Sequence, residues 1–86
     1  MTLYRQFSAS GNVFPRKVQM LGIFVSAASA TPTITIYDDT GTGTTIKIVD
    51  TFTPIPGTWY LLPFYAEHGI NIVVGGTVSG TLAVEG

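Results

Sequence analysis

Hydrophobic and polar residues alternate with a period of two along most of the chain, and turn-forming residues separate the alternating stretches. This period is typical of β-strands with one buried face, whereas amphipathic helices repeat every 3.6 residues. Ile34 and Ile36 alternate with threonines, and Ile46 and Ile48 alternate with Thr45 and Lys47. The pattern predicts strands at residues 2–7, 18–26, 33–38, 44–50, 58–64, 69–75 and 77–85.

The number of these strands predicts an all-β fold. Seven or eight short strands fit a small antiparallel β-sandwich or jelly roll better than an open sheet, because two sheets can cover each other's apolar faces. The 86 residues are enough for one domain, residues 1–86. In the last strand, Val78, Leu82 and Val84 should face the core. The preceding pair Gly75-Gly76 suggests a tight two-residue hairpin.

Two strands are apolar on both faces. In VQMLGIFV, strict alternation places Met20 and Phe24 on one face and Leu21, Ile23 and Val25 on the other. In TWYLLPF, the same alternation places Trp59 and Leu61 on one face and Tyr60, Leu62 and Phe64 on the other. Both faces of such strands need cover, from a loop, from the amino-terminal segment or from a second subunit. The residues predicted to form a subunit interface are Met20, Phe24, Trp59 and Leu61.

Composition favours association and argues against several partners. Charged residues make up only 10% of the chain, against about 25% in ordinary soluble domains, so much of the surface is uncharged. The net charge of −1 argues against nucleic-acid binding, which needs a basic surface. The chain has no cysteine. It also has neither a signal-peptide pattern nor an apolar run of about 18–20 residues, so we expect a soluble, unexported protein with no membrane partner.

The few charges are unevenly distributed. Arg5, Arg16 and Lys17 lie in the first seventeen residues, whereas all five acidic residues lie at or beyond position 38. An acidic partner would be attracted to this basic segment, so these three residues are the predicted partner-binding residues. Residues 1–17 could form a basic arm, in which the SASGN stretch would let residues 1–7 leave the body and add a strand to a neighbour. Alternatively, residues 2–7 are the first strand of the chain's own sandwich.

The stretch YDDTGTGTT, residues 37–45, is the most conspicuous candidate for chemistry. It lies between two well-patterned strands, so a hairpin turn explains it, with positive φ angles at Gly41 and Gly43. It lacks the lysine of a P-loop, and its adjacent acids Asp38 and Asp39 lack the alternating spacing of an EF-hand. His68 follows Glu67 in a segment that we interpret as a solvated turn. We therefore predict no catalytic site, no metal site and no cofactor.

A family resemblance suggests a function. The elements Ile36-Tyr37-Asp38, PGTWY (56–60), LPF (62–64) and GGT (75–77) resemble small structural proteins of tailed-bacteriophage virions, over roughly residues 33–86. The resemblance implies a non-enzymatic capsid decoration (cement) protein, typically a homotrimer. Such a protein is made in the host cytoplasm, binds the major capsid protein on the outer surface of the shell, and stabilises it.

Two alternatives remain open at this point. One is a tail-fibre or baseplate component of the virion. The other is a carbohydrate-binding β-sandwich module, because exposed aromatic side chains can stack against sugars. The aromatic residues available for such a platform are Tyr4, Tyr37, Trp59, Tyr60 and Tyr65.

Overall fold

The computed structural model describes residues 1–85, so Gly86, the last residue of the predicted domain, lies outside the described residues. The described chain is all-β. Its strands are β1 (Thr2–Phe7), β2 (Gly11–Phe14), β3 (Val18–Ala28), β4 (Thr33–Tyr37), β5 (Lys47–Phe52), β6 (Thr58–Leu61), β7 (Tyr65–Ala66), β8 (Ile70–Gly75) and β9 (Val78–Glu85). The seven predicted strands are confirmed, and β2 and β7 are two short strands that the alternation did not predict. None of residues 1–85 forms a helix, and so none forms a helix able to cross a membrane.

The strands form a two-sheet sandwich with nested antiparallel pairing. Sheet A has the order β1-β9-β3-β6, with β7 also paired to β3, and sheet B has the order β2-β8-β4-β5. The first strand pairs with the last, β2 pairs with β8, β3 with β6, and β4 with β5. A long hairpin folded over onto itself gives this nesting, which is the topology of a jelly roll. The predicted fold class is therefore confirmed.

The core lies between the two sheets and consists of aliphatic residues with few aromatic ones. Strand β9 keeps strict alternation and contributes Val78, Leu82 and Val84, each with no exposed surface. Strands β4 and β8 contribute four isoleucines, also fully buried, from the opposite sheet: Ile34, Ile36, Ile70 and Ile72. Burial of a side chain of this size contributes about 1.5–3 kcal/mol, so these residues are a main source of stability.

Strand β3 departs from the predicted alternation because it contains two β-bulges. Its pairing with β9 shifts between Met20 and Gly22 and again between Val25 and Ala27. An extra residue reverses the face on which the following side chains lie. Met20 therefore faces the core opposite Val84, whereas Phe24 faces outward. The prediction that these two residues share a face was wrong.

The pairing corrects two other expectations and shows where residues 2–7 lie. Gly75-Gly76 does not close a hairpin, because β8 belongs to sheet B and β9 to sheet A; Gly76, with φ of +70°, instead turns the chain from one sheet to the other. Ile46 is exposed rather than inward, because register shifts between β4 and β5 place Val49 and Phe52 opposite Ile36 and Ile34. Residues 2–7 pair with β9 along their whole length, so in this structure they are the first strand of the sandwich.

The bulges in β3 lead to a stability prediction. Met20→Ala should lower the free energy of unfolding by about 2–5 kcal/mol, because it opens a cavity in the core. Ile55→Ala is the matched control, because Ile55 is 63% exposed in the loop between β5 and β6, and it should change stability by about 0.5 kcal/mol or less. Urea denaturation would measure both. Equal, small losses in the two variants would contradict the inward orientation of Met20.

Candidate functional site

The two adjacent aspartates of YDDTGTGTT have separate structural roles. The Asp38 carboxylate is 8% exposed and accepts hydrogen bonds from three consecutive backbone N–H groups, those of Glu67, His68 and Gly69, at 2.7–3.2 Å. Asp38 thereby ties the β4–β5 connection to the turn between β7 and β8. The sequence interpretation took this stretch as a hairpin turn and did not identify this longer-range contact.

The Asp39 side chain organises the turn itself. One of its carboxylate oxygens accepts the N–H groups of Gly41 at 2.7 Å and Gly43 at 3.0 Å. Neither glycine has a positive φ, since among residues 1–85 only Gly57 and Gly76 do, so the predicted reason for these glycines was wrong. At Gly43 the physical reason is space, because a Cβ there would lie 2.6 Å from the Asp39 carboxylate.

Two asparagines fix this turn to sheet B. The Asn12 side-chain amide donates to the backbone carbonyls of Asp39 and Gly41, at 3.0 and 2.8 Å. The Asn71 amide, on a side chain that is 1% exposed, donates to the carbonyl of Gly43 at 3.1 Å. Asn71 interrupts an otherwise apolar run in β8, and that interruption is the sequence signal that could have identified it. The turn is thus a structural element held by hydrogen bonds to the side chains of Asn12, Asp39 and Asn71.

The electrostatics of Asp38 agree with this anchoring role. Burial opposes ionisation, but the backbone N–H groups of His68, Glu67 and Gly69, together with the nearby imidazole, outweigh it and hold the pKa of Asp38 below its ordinary value. The His68 Nδ1 atom lies 3.5 Å from the Asp38 carboxylate, and the imidazole is about half exposed. Within residues 1–85, no three histidine or acidic side chains converge as metal ligands would.

The most distinctive surface is the outer face of sheet A. Two neighbouring rows of cross-strand partners cross this face. The first row is Gln6, Thr81, Phe24 and Trp59, and the second is Tyr4, Ala83, Gly22 and Leu61. Neither row contains a charge. Five of the nine large hydrophobic side chains that are exposed in the described chain come from the strand positions of this sheet. We call the surface formed by Tyr4, Phe24, Trp59, Leu61 and Tyr65 the outer aromatic face.

The Trp59 indole lies against Gly22, because the glycine has no side chain to displace it. A Cβ at position 22 would lie 2.7 Å from Cζ2 of the indole and would also collide with the backbone carbonyl of Tyr60. The bulge in β3 brings this glycine to the outer side of the sheet. There it is paired with Leu61 of β6, two positions along the strands from the Phe24–Trp59 pair. Gly22 and Ala83 keep the centre of the face low.

Three of the four predicted interface residues lie on this face. Phe24, Trp59 and Leu61 are 41%, 47% and 69% exposed. Met20 has no exposed surface and packs in the chain's own core, so it is not available to a second subunit. Tyr4 and Tyr65 belong to the face but were not among the predicted interface residues, because their outward orientation depends on their pairing with β9 and β3.

The basic residues lie at the side of the sandwich. The Arg5 guanidinium is 5.3 Å from the centre of the Phe14 ring. Arg5 and Arg16 both line an open cleft with a volume of about 520 Å³. Lys17 follows Arg16 and is exposed. Among the described residues, no carboxylate forms an ion pair with any of the three. The structure thus brings two of the three predicted partner-binding residues together.

Comparisons with known proteins add no relative to this description. A scan against protein-family models found no matching model, and searches of curated proteins and of solved structures found no significant match.

The Asp38 anchor predicts an acid-sensitive stability. A carboxylate with a lowered pKa in the folded state contributes stability above its unfolded pKa, and this contribution is lost as the pH falls through the folded pKa. The free energy of unfolding should therefore decrease below about pH 4. Asp38→Asn should cost about 1–3 kcal/mol at pH 7, because three N–H donors lose their charged acceptor, and should flatten the acid dependence.

Chemical denaturation between pH 3 and pH 7 would measure this effect. Asp50→Asn is the control, because that carboxylate is exposed and contacts only the exposed Lys47 and the N–H group of Thr51, so its effect should be small and should decrease in salt. An Asp38→Asn variant with unchanged stability and an unchanged acid slope would contradict the anchoring role.

Proposed function

We propose that this chain is a non-enzymatic structural protein of a bacteriophage virion, and that it decorates the outer surface of the capsid as a homotrimer. The single observation that carries the proposal is the outer aromatic face, whose two central rows of cross-strand partners contain no charge. Exposed contiguous apolar patches mark interaction sites, and aromatic residues are enriched in the central part of protein interfaces. The sequence resemblance over residues 33–86 supplies the virion context.

The dimensions of the molecule are compatible with this use. The Cα atoms extend over 32 × 27 × 17 Å, so one broad face is of the same order as the roughly 800 Å² that each partner contributes to a standard interface. A small sandwich also has a limited core of its own. Contacts between subunits over the outer aromatic face would add burial that the isolated chain cannot achieve.

The fold and the polar groups support a binding role over a catalytic one. Jelly rolls are frequent in viral capsid and lectin domains, which is support at the level of the fold only. The most buried acidic side chain among the described residues, Asp38, accepts hydrogen bonds from three backbone N–H groups of one turn and serves as an anchor. Cement proteins act by mass action, because a ligand of the assembled shell stabilises it by RT ln(1 + [L]/Kd) per site.

Lectin-like binding is the second candidate, and the same aromatic face favours it. Trp59 is the cross-strand partner of Phe24 and both side chains are exposed, and exposed aromatic rings on a sheet surface can stack against sugar rings. A glycan array would distinguish the two functions. Saturable binding to one class of glycan that is lost in Trp59→Ala would favour the lectin.

The decoration hypothesis predicts a specific distribution on virions. Immunogold labelling of virions that carry this chain should give a uniform coat over the capsid, and detaching the protein should lower the temperature at which the capsid releases its DNA. Label confined to the tail would contradict decoration and favour a tail-fibre or baseplate component.

The trimer is tested by a charge placed on the outer aromatic face. Leu61→Asp should shift the protein from three chains to one at micromolar concentration, because it buries an unpaired carboxylate in the interface. Ile55→Asp is the matched control, since Ile55 is exposed to a similar degree (63% against 69%) but lies in a loop. Light scattering would measure both. A wild-type monomer, or equal masses for the two variants, would contradict the interface.

A further inference from the structure

The side of the sandwich at which β1 and β2 lie contains a cleft that the outer aromatic face does not explain. It is lined by Leu3, Tyr4, Arg5, Phe14, Pro15 and Arg16. Strand β1 is an edge strand of sheet A, and β2 is an edge strand of sheet B. The cleft is thus open to solvent between two strands that each have one free backbone edge.

Arg5 occupies an unusual position in this cleft. Strand β1 turns Leu3 and Phe7 towards the core, and Arg5 lies between them in the alternation, on the side that is usually apolar. Its guanidinium stacks over Phe14 of the opposite sheet. An inward-directed charge on an edge strand discourages indiscriminate pairing with apolar strands. A partner strand that offers a carboxylate would remove this penalty.

The charges around the cleft favour the same partner. Arg5 and Arg16 are both in its wall, and in the described part of the chain neither is within ion-pair distance of an acidic group. The guanidinium group binds carboxylates in a bidentate manner and can keep its stacking on an aromatic ring while it does so. Leu3, Phe14 and Pro15 offer apolar surface on either side of the charges.

We propose that this cleft binds an extended peptide segment that carries an acidic side chain with apolar side chains two residues before or after it. In an extended segment, residues i and i+2 lie on the same face. One carboxylate would thus reach Arg5 and Arg16 while the flanking apolar side chains contact Leu3 and Phe14. The binding chemistry stands on the cleft alone, and it rests on the proposed function only in that the segment would then belong to the capsid.

The test uses a defined peptide and the intact chain. Nuclear magnetic resonance titration would use a capped pentapeptide, leucine–threonine–glutamate–threonine–leucine, and the same peptide with glutamine in place of glutamate. We expect saturable shift changes at residues 3–5 and 14–16, a Kd at least about tenfold lower for the glutamate peptide, and weaker binding as the salt concentration rises.

Variants separate the two arginines from general charge. Arg5→Gln and Arg16→Gln should each raise the Kd about tenfold, and Arg5→Lys should recover only part of the loss, because lysine keeps the charge but not the planar stacking. Lys47→Gln is the control, since Lys47 is on β5, at the far edge of sheet B, and should leave the Kd unchanged.

Three results would overturn the proposal. They are equal affinity for the two peptides, shift changes that cluster on the outer aromatic face, and no saturable change at millimolar peptide. The assay contains no capsid, so its outcome is independent of the labelling of virions. Selective peptide binding without capsid decoration would support the peptide site and contradict the virion function. Decoration without peptide selectivity would support the virion function and contradict the peptide site.

Discussion

Strand β3 must present an apolar side chain to the core opposite each inward position of β9, and the rest of the structure depends on how it does so. Strand β9 alternates strictly, but β3 meets it with inward residues at uneven spacing, Met20, Ile23, Val25 and Ala28. Two bulges absorb the extra residues. Because β3 lies between β9 and β6 in sheet A, the same bulges determine what the outer surface of the sheet carries.

The first bulge links the core to the candidate interface. It turns Met20 inward and Phe24 outward, and it places Gly22 where the indole of Trp59 can lie against the backbone. A larger residue at position 22 would lift the indole and make the face uneven. Packing of Met20 in the core and the position of Trp59 against Gly22 on the outer aromatic face are therefore consequences of one local irregularity, which agrees with the frequent occurrence of bulges at functional sites.

The nested topology creates a second requirement, since most strand pairs join residues that are distant in sequence. Loop closure of this kind costs entropy before any contact compensates it. Asp38 offsets part of this cost at one end of the sandwich, where its carboxylate joins the β4–β5 connection to a turn about 30 residues later. Asn12 reaches the same connection from β2, 27 and 29 residues away. These few polar side chains connect elements that apolar contacts alone would hold less specifically.

Period-two alternation was sufficient to predict the fold class and seven of the strands, because strands with one buried face carry a strong local signal. It failed where the register changes. The local signal of a bulge in VQMLGIFV is Gly22, since a glycine inside a strand often marks one, but strict alternation ignores it, so Met20 was assigned to the outer surface. The hairpin assigned to Gly75-Gly76 failed for a related reason, since a tight turn can either pair two strands or pass the chain to the other sheet, and only long-range pairing decides between them.

The candidate site was predictable in part for the same reasons. Phe24, Trp59 and Leu61 were identified because a strand that is apolar on both faces must have two apolar environments. Tyr4 and Tyr65 were named only for the alternative carbohydrate platform and not as interface residues, because each is a single aromatic residue in a short or charged strand. The basic residues were identified from their position in the sequence, but the pairing of Arg5 with Phe14 across the two sheets requires the tertiary structure.

The positions of the two surfaces bear on how an assembly could attach to a larger particle. Tyr4 contributes to the outer aromatic face and also lines the cleft that contains Arg5 and Arg16, so this cleft lies beside that face. In the proposed trimer, subunit contacts over the aromatic face would leave the clefts at the interface rim, where polar groups remain accessible to solvent. Three clefts held in a fixed arrangement would then bind three equivalent segments of a symmetric shell. Because each later contact forms within the same complex, at an effective concentration in the millimolar range, weak binding at a single cleft is compatible with firm attachment of the trimer.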